Sequence, residues 1–166
     1  AKETARELAK AYISNLSVDT IICLEGTEII GAFLARELAK EGHTSINSGK
    51  DICVITPETN ANNQMIFRDN IQKHVFNKQI LLLISSASTG KTINRSVECL
   101  QYYNGQLAGV ASIFSAINEH NGIQINSIFT SEDLNNYETM SAHDCKLCKS
   151  GQKVDAIINS FGYSKI

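Results

Sequence analysis

Apolar and polar positions along this chain change period several times, and each change marks an element. Residues 1–15 set Ala5, Leu8, Ala9, Tyr12 and Ile13 at helical spacing, which predicts an amphipathic helix. Residues 20–24 (Thr-Ile-Ile-Cys-Leu) read as a buried strand, with Glu25-Gly26-Thr27 as the turn behind it. From residue 28 to 40 the stripe Ile30, Phe33, Leu34 and Leu38 predicts a second helix, with Gly42 just beyond as a stop signal. Residues 52–56 form a second strand, ended by the sole proline, Pro57. The stretch 59–63 is polar and Asn-rich, and periodicity stays weak to Asn77. This predicts a long mobile excursion, a kind of segment that often serves as a lid. A third strand at 79–84 leads to a helix at 91–103, with Ile93, Val97 and Leu100 on one face and Gly105 closing it. Two further strands follow at 107–114 and 123–129, and the tail, with Cys145, Cys148 and the short apolar set Val154, Ile157 and Ile158, is expected to form a last helix.

Strands alternating with helices at this spacing predict an α/β fold: a mostly parallel sheet of about five strands with helices on both faces. Such sheets bind ligands at the carboxyl ends of their strands, where Glu25–Thr27 and the segment after Ile84 both fall. At 166 residues the chain is read as one domain, with residues 140–166 as a possible appendage. Hydrophobic content of 43% and charged content of 19% are those of a soluble globular protein. A net charge of −2 with 15 scattered Lys and Arg residues predicts no nucleic-acid partner. The longest apolar runs are too short to span a bilayer, and no charged-then-apolar leader opens the chain. Five cysteines, an odd count, predict a reducing cytoplasm rather than a disulfide scaffold. The chain opens on Ala1 rather than Met, which predicts a trimmed or partly observed chain.

The chemistry concentrates in residues 80–92 (Ile-Leu-Leu-Leu-Ile-Ser-Ser-Ala-Ser-Thr-Gly-Lys-Thr). A strand, a tight hydroxylated loop and a helix N-terminus together make a phosphate cradle, because backbone N–H groups and the helix dipole converge on an anion. The pattern G-x-x-x-x-G-K-[ST] is met at Gly90, Lys91 and Thr92, but Ser85 stands where its first glycine belongs. No strand ends cleanly in the aspartate that would organise magnesium for a nucleoside triphosphatase. A plain strand-to-helix turn is the structural alternative, since Ser and Thr commonly cap helices.

From Ala1 to Phe129 the order of these elements resembles the type I phosphoribosyltransferases, most closely the orotate phosphoribosyltransferase branch. The early strand with its glycine loop (Glu25, Gly26, Thr27), the strand at 52–56 with its long loop, and the apolar strand leading into Ser88–Thr92 occupy that family's places in order. The last strand pair, Glu132-Asp133-Leu134 and the tail Cys145-Lys-Leu-Cys148-Lys-Ser-Gly are similar to the same branch. The resemblance implies transfer of a phosphoribosyl group from phosphoribosyl pyrophosphate to a nitrogenous base, with magnesium and release of pyrophosphate. It implies that Ser88, Thr89, Gly90, Lys91 and Thr92 hold the 5′-phosphate, and that Glu25, Gly26 and Thr27 face the pyrophosphate. Ser85 and Ser86 would then face the ribose, and residues 60–68, with Arg68 as their cation, would close as a lid. A homodimer is also implied. The family has two acidic residues where this chain has Ser85 and Ser86. That difference opens a second reading, a non-catalytic domain of the same fold that senses a phosphoribosyl ligand or nucleotide.

His143, Cys145 and Cys148 offer three soft ligands at zinc-like spacing, with His120 or a cysteine of another subunit as a fourth; free thiols are the alternative. Cys23, Cys53 and Cys99 lie within apolar patterns and are read as core. Tyr102 and Tyr103 are read as packing or a dimer contact rather than a stacking platform.

Overall fold

The sheet is organised around its most apolar strand. In the computed structural model, which describes residues 1–41, 45–61, 64–141, 143–159 and 162–166, the chain runs α1 (Lys2–Lys10), β1 (Thr20–Cys23), α2 (Glu28–Leu38), β2 (Cys53–Ile55), β3 (Glu58–Thr59), β4 (Met65–Ile66), α3 (Asp69–Gln72), β5 (Gln79–Ala87), α4 (Lys91–Tyr102), β6 (Gln106–Ser115), β7 (Glu119–His120), β8 (Ile123–Thr130), a 3-10 turn (Ser131–Asp133), α5 (Lys146–Lys149), β9 (Ala156–Asn159) and β10 (Gly162–Lys165). Ile80, Leu81, Leu82, Leu83 and Ile84 of β5 are wholly buried. This is what a strand covered on both faces requires.

The main sheet has six strands in the order β2-β1-β5-β6-β8-β7. All of its pairings are parallel except that of β7 with β8, where Glu119 faces Gln124 and His120 faces Ile123. Alternate residues of the central strands feed two cores. Ile21, Cys23, Leu81 and Leu83 pack with α1 and with Leu34, Ala35 and Leu38 of α2. Ile22, Ile80, Leu82 and Ile84 pack on the other face with Met65 and Phe67 and with Ile93 and Leu100 of α4. Helices α2 and α4 thus cover opposite faces, and the chain winds outward from β1 and β5 in opposite directions. The crevice between the carboxyl ends of β1 and β5 is therefore the topological switch point, where ligands of open α/β sheets bind.

Several elements differ from the expectation. Helix α1 stops at Lys10 rather than near residue 15, because the Tyr12 hydroxyl donates to the Val110 carbonyl (2.6 Å) and accepts from the Asn126 amide (3.1 Å), drawing the chain down onto the sheet. The stop signal expected at Gly42 lies outside the described residues. At the end of α4 the left-handed residue is Asn104 (φ 56°), one before the expected Gly105. Gly105 N–H donates to Leu100 O and Asn104 N–H to Gln101 O, the paired bonds of a Schellman motif.

The described residues of the excursion expected after residue 57 include regular elements. Glu58 pairs with Ile66 and Thr59 with Met65 in an antiparallel hairpin, and the return path buries Phe67 and Val75 in the second core. Its anchors are spaced by two at 65 and 67 and by four at 71 and 75, so no single period marks them. Strand β5 continues through Ser85 and Ser86 to Ala87, because Ser86 and Ala87 pair with Phe114 and Ser115 of β6. The tail's helix is the four-residue α5 at Lys146–Lys149, and the apolar set beyond it is not helical: Ile157 and Ile158 lie on β9, paired with Ser164 and Tyr163 of β10. Val154, Ile157 and Ile158 are 67%, 60% and 77% exposed, outside both cores. A two-residue alternation bounded by glycine in this stretch admits a hairpin as well as a helical turn.

Candidate functional site

The turn after β1 brings a carboxylate to the switch point. Glu25 and Gly26 both adopt left-handed backbone (φ 59° and 80°), which reverses the chain within two residues before α2 begins. Thr27 is buried, and its hydroxyl donates between the carbonyls of Leu24 (2.9 Å) and Leu83 (3.1 Å). Its side chain therefore stitches the turn to β5 and does not face the crevice, as the sequence had led one to expect. Fixed this way, the Glu25 carboxylate reaches across to β5. The Ser85 hydroxyl donates to its Oε2 at 2.5 Å and the Ser86 backbone N–H at 3.4 Å. Ser85, Ser86 and Glu25, separated by sixty residues in sequence, form one polar cluster.

The loop at Ser88–Gly90 leads into α4. Gly90 sits in left-handed backbone (φ 73°) at the N-cap, and no side chain caps the helix. Ser88 and Thr89 of the loop are therefore not spent on capping, and the first turn of α4 carries Lys91 and no acid. Over Gly90 lies the ring of His120, so close that a Cβ there would overlap Nδ1, Cγ and Cε1. His120 Nε2 lies 2.9 Å from the Asn94 amide oxygen, which also accepts from Asn121 (3.1 Å). His120 thus belongs to this loop. Sequence reasoning had considered it only as a metal ligand, because β7, which carries it, is too short to register in a hydrophobic pattern.

A cavity of about 410 Å³ opens beside these groups, lined by Glu25, Thr56, Thr59, Thr92, Arg95 and Ser96 among others. Glu25 and Thr92 were expected there. Arg95, which was not, lies three residues beyond Thr92 on the same helical face, and that spacing is the signal that could have found it. Its guanidinium forms no ion pair among the described residues.

Arg68, expected as the cation of the lid, is engaged elsewhere. Its Nε and Nη2 donate to Oε1 and Oε2 of Glu58 at 2.8 and 2.6 Å, a bidentate pair across the base of the hairpin. Those hydrogen bonds, together with the guanidinium charge, hold the Glu58 carboxyl below the usual carboxylate range. Of the lid segment 60–68, residues 62 and 63 lie outside the described residues.

The metal candidates separate in the same way. Cys145 and Cys148 are joined as a disulfide, so their sulfurs are neither free thiols nor available to zinc with His143. No group of three or more His, Cys, Asp or Glu able to hold a metal ion occurs among the described residues. Cys23 is core: burial, partly offset by the hydrogen bond with Thr27, pushes its thiol up to about 11. No helix among the described residues is long and apolar enough to cross a membrane.

No protein-family profile and no curated protein sequence matches this chain. Solved structures do. The chain is similar to adenine phosphoribosyltransferase from Thermoanaerobacter pseudethanolicus, with a TM-score of 0.56 at 15% identity over 77% of this chain and 78% of the other. It is similar to orotate phosphoribosyltransferase from Mycobacterium tuberculosis, with a TM-score of 0.53 at 13% identity over 78% and 72% of the two chains. A hypoxanthine phosphoribosyltransferase from Staphylococcus aureus gives a TM-score of 0.53 at 14% identity over 82% and 72%. At such identities the likeness is one of fold, and the fold is that of the type I phosphoribosyltransferases.

Proposed function

We propose that the crevice between β1 and β5 binds phosphoribosyl pyrophosphate and transfers its phosphoribosyl group to a nitrogenous base, in the manner of an orotate-type phosphoribosyltransferase. The observation that carries this reading is the Glu25 carboxylate held against Ser85 and Ser86 at the switch point, on the wall of the cavity that Thr92 and Arg95 also line. On this reading the loop Ser88–Thr92 receives the 5′-phosphate on uncapped N–H groups, with Lys91 and Arg95 supplying positive charge. A base nitrogen forms the new bond to the anomeric carbon as the bond to pyrophosphate oxygen breaks, and the proton that nitrogen carried passes to solvent or to the released pyrophosphate. The ribose ring carries positive charge at that moment, and an oriented carboxylate such as Glu25 stabilises it. Residues on β5 supply hydroxyls only, so the negative charge comes from the end of the neighbouring strand.

The oxygen donors here suit magnesium, which takes one or two carboxylates and keeps the remaining positions for water and substrate phosphates. Glu25 would hold it, and its chemistry when bound is to neutralise the departing pyrophosphate. A homodimer belongs to the same proposal, and light scattering in solution tests it.

The second reading, a domain that senses a phosphoribosyl ligand without turnover, draws support from Ser85 and Ser86 themselves, which carry no charge. One experiment separates the two. The protein is mixed with magnesium, phosphoribosyl pyrophosphate and, in turn, orotate, uracil, adenine, guanine, hypoxanthine and xanthine, while pyrophosphate release and thermal shift are followed. Turnover with one base, lost in Glu25→Gln while the thermal shift with ligand persists, is the expected result. A shift without turnover on any base would select the sensing domain. No shift with any phosphate ligand would overturn both.

A further inference from the structure

A separate cavity adjoins the one at the switch point, with which it shares two lining residues. These are Met65 and Arg95, and this second cavity, of about 320 Å³, runs along the outer face of α4 beneath the β3–β4 hairpin. That volume lies within the range of small-ligand sites, about 300–1,000 Å³. Its helical wall is built from Arg95, Glu98, Cys99 and Tyr102, which stand at i, i+3, i+4 and i+7 and so share one face.

Each end of this wall offers an open group. At one end is Arg95, without an ionic partner among the described residues although Glu98 lies one turn away. At the other is Tyr102, 82% exposed. Its ring meets Tyr103 edge-on at 4.9 Å and 87°, and Tyr103 meets the buried Phe67 edge-on at 5.1 Å. This chain of rings braces Tyr102 from the core side and leaves it open to the cavity. A braced aromatic with so much open surface has the form of a stacking platform, the role that sequence alone had set aside. Seven residues of helix separate the cation from the ring by about 10 Å at 1.5 Å per residue. The Glu98 carboxylate between them accepts hydrogen bonds from an amine or hydroxyl.

We propose that this second cavity binds a mononucleotide, with its base stacked on Tyr102, its phosphate on Arg95 and its ribose or exocyclic amine toward Glu98. The site stands on its own geometry and holds whether or not the first cavity carries out transfer. Because Arg95 lines both cavities, a phosphate drawn to it from one cavity withdraws it from the other.

Isothermal titration calorimetry with AMP, UMP, ribose 5-phosphate and adenosine tests this directly. AMP and UMP are expected to bind at least tenfold more tightly than ribose 5-phosphate or adenosine. Tyr102→Ser removes that advantage and leaves ribose 5-phosphate binding unchanged, while Arg95→Gln weakens every phosphate ligand and spares adenosine. Tyr102 is exposed, so its replacement leaves the fold intact, which a thermal melt verifies; Glu98→Gln supplies a second variant, with AMP affinity falling severalfold. Nucleotide affinity within twofold of wild type in Tyr102→Ser would overturn the proposal, as would nucleotides binding no better than ribose 5-phosphate. Phosphoribosyl pyrophosphate binding, measured alongside, tells this failure apart from failure of the transferase reading, because Tyr102 lies outside the first cavity.

Discussion

Glu25 is the residue whose meaning changed most between sequence and structure. As a letter it sits in an unremarkable glycine turn, and its link to Ser85 and Ser86 exists only once β1 and β5 are paired. Periodicity located both turns but held no information about which side chain would cross between them. Gly90 was legible as part of a strand-to-helix loop, yet the reason for a glycine there lies thirty residues later, in the ring of His120. Gly90→Ala puts a methyl group into that ring and an L side chain into left-handed backbone, so we expect a loss of about 1–3 kcal/mol. Urea unfolding measures it. Gly90→Ala combined with His120→Ala should recover the part due to the collision, leaving only the backbone cost. A double variant as unstable as the sum of the two single ones would show that the ring and the glycine do not interact.

Long periodic elements declared themselves, and short or mixed ones did not. The strands β1, β5, β6 and β8 and the helices α2 and α4 follow from apolar runs and stripes. The β3–β4 hairpin and β7 are two residues per strand, too short to establish a period, and the tail hairpin imitated a helical spacing. Helix α2 illustrates how an element can obey a tertiary demand over a local one. Gly31 lies mid-helix, where alanine would raise helix propensity by about 1 kcal/mol. A Cβ there would overlap the Cys23 sulfur and come within 3.3 Å of Val54 Cγ1. Overpacking typically costs about 1–3 kcal/mol, so Gly31→Ala should destabilise despite the better helix former. Cys23→Ala in the same chain should relieve it. Chemical denaturation of the two variants decides the matter, and a more stable Gly31→Ala single variant would show that α2 has room to move away from the sheet.

The molecule as a whole was the most legible level. An alternating order of strands and helices yields a mostly parallel sheet, and two helices on opposite faces yield a switch point, with little freedom left between. What the order could not supply is the sixth strand, whose two residues set no period, and the engagement of Arg68 by Glu58 and the disulfide in the tail, which depend on which residues meet rather than on which elements form. The cores also set the response of the whole chain to alkali. Burial pushes Cys23 and Cys99 from 9.0 up to about 11, and Tyr12 from 10.0 up to about 12. The native state therefore retains protons that the unfolded chain gives up. That contribution is complete below about pH 9 and is lost as the pH rises through about 11 to 12. Urea midpoints taken under reducing conditions at pH 7.5, 9 and 11 should be level over the first interval and fall over the second; a level midpoint at pH 11 would contradict the burial of these groups.

The position of β5 in the chain has a consequence for how the molecule comes into being. The strand on which both halves of the sheet are hung spans residues 79–87, across the midpoint of 166. Until it is made, the main sheet holds only β1 and the three-residue strand β2, and the faces that β5 gives to both cores are missing. Parallel pairings between distant segments form slowly, since chain entropy is lost before contacts compensate for it. The N-terminal half therefore waits, with Ile21, Ile22, Leu34 and Leu38 unsheltered, for a partner that the ribosome has yet to deliver.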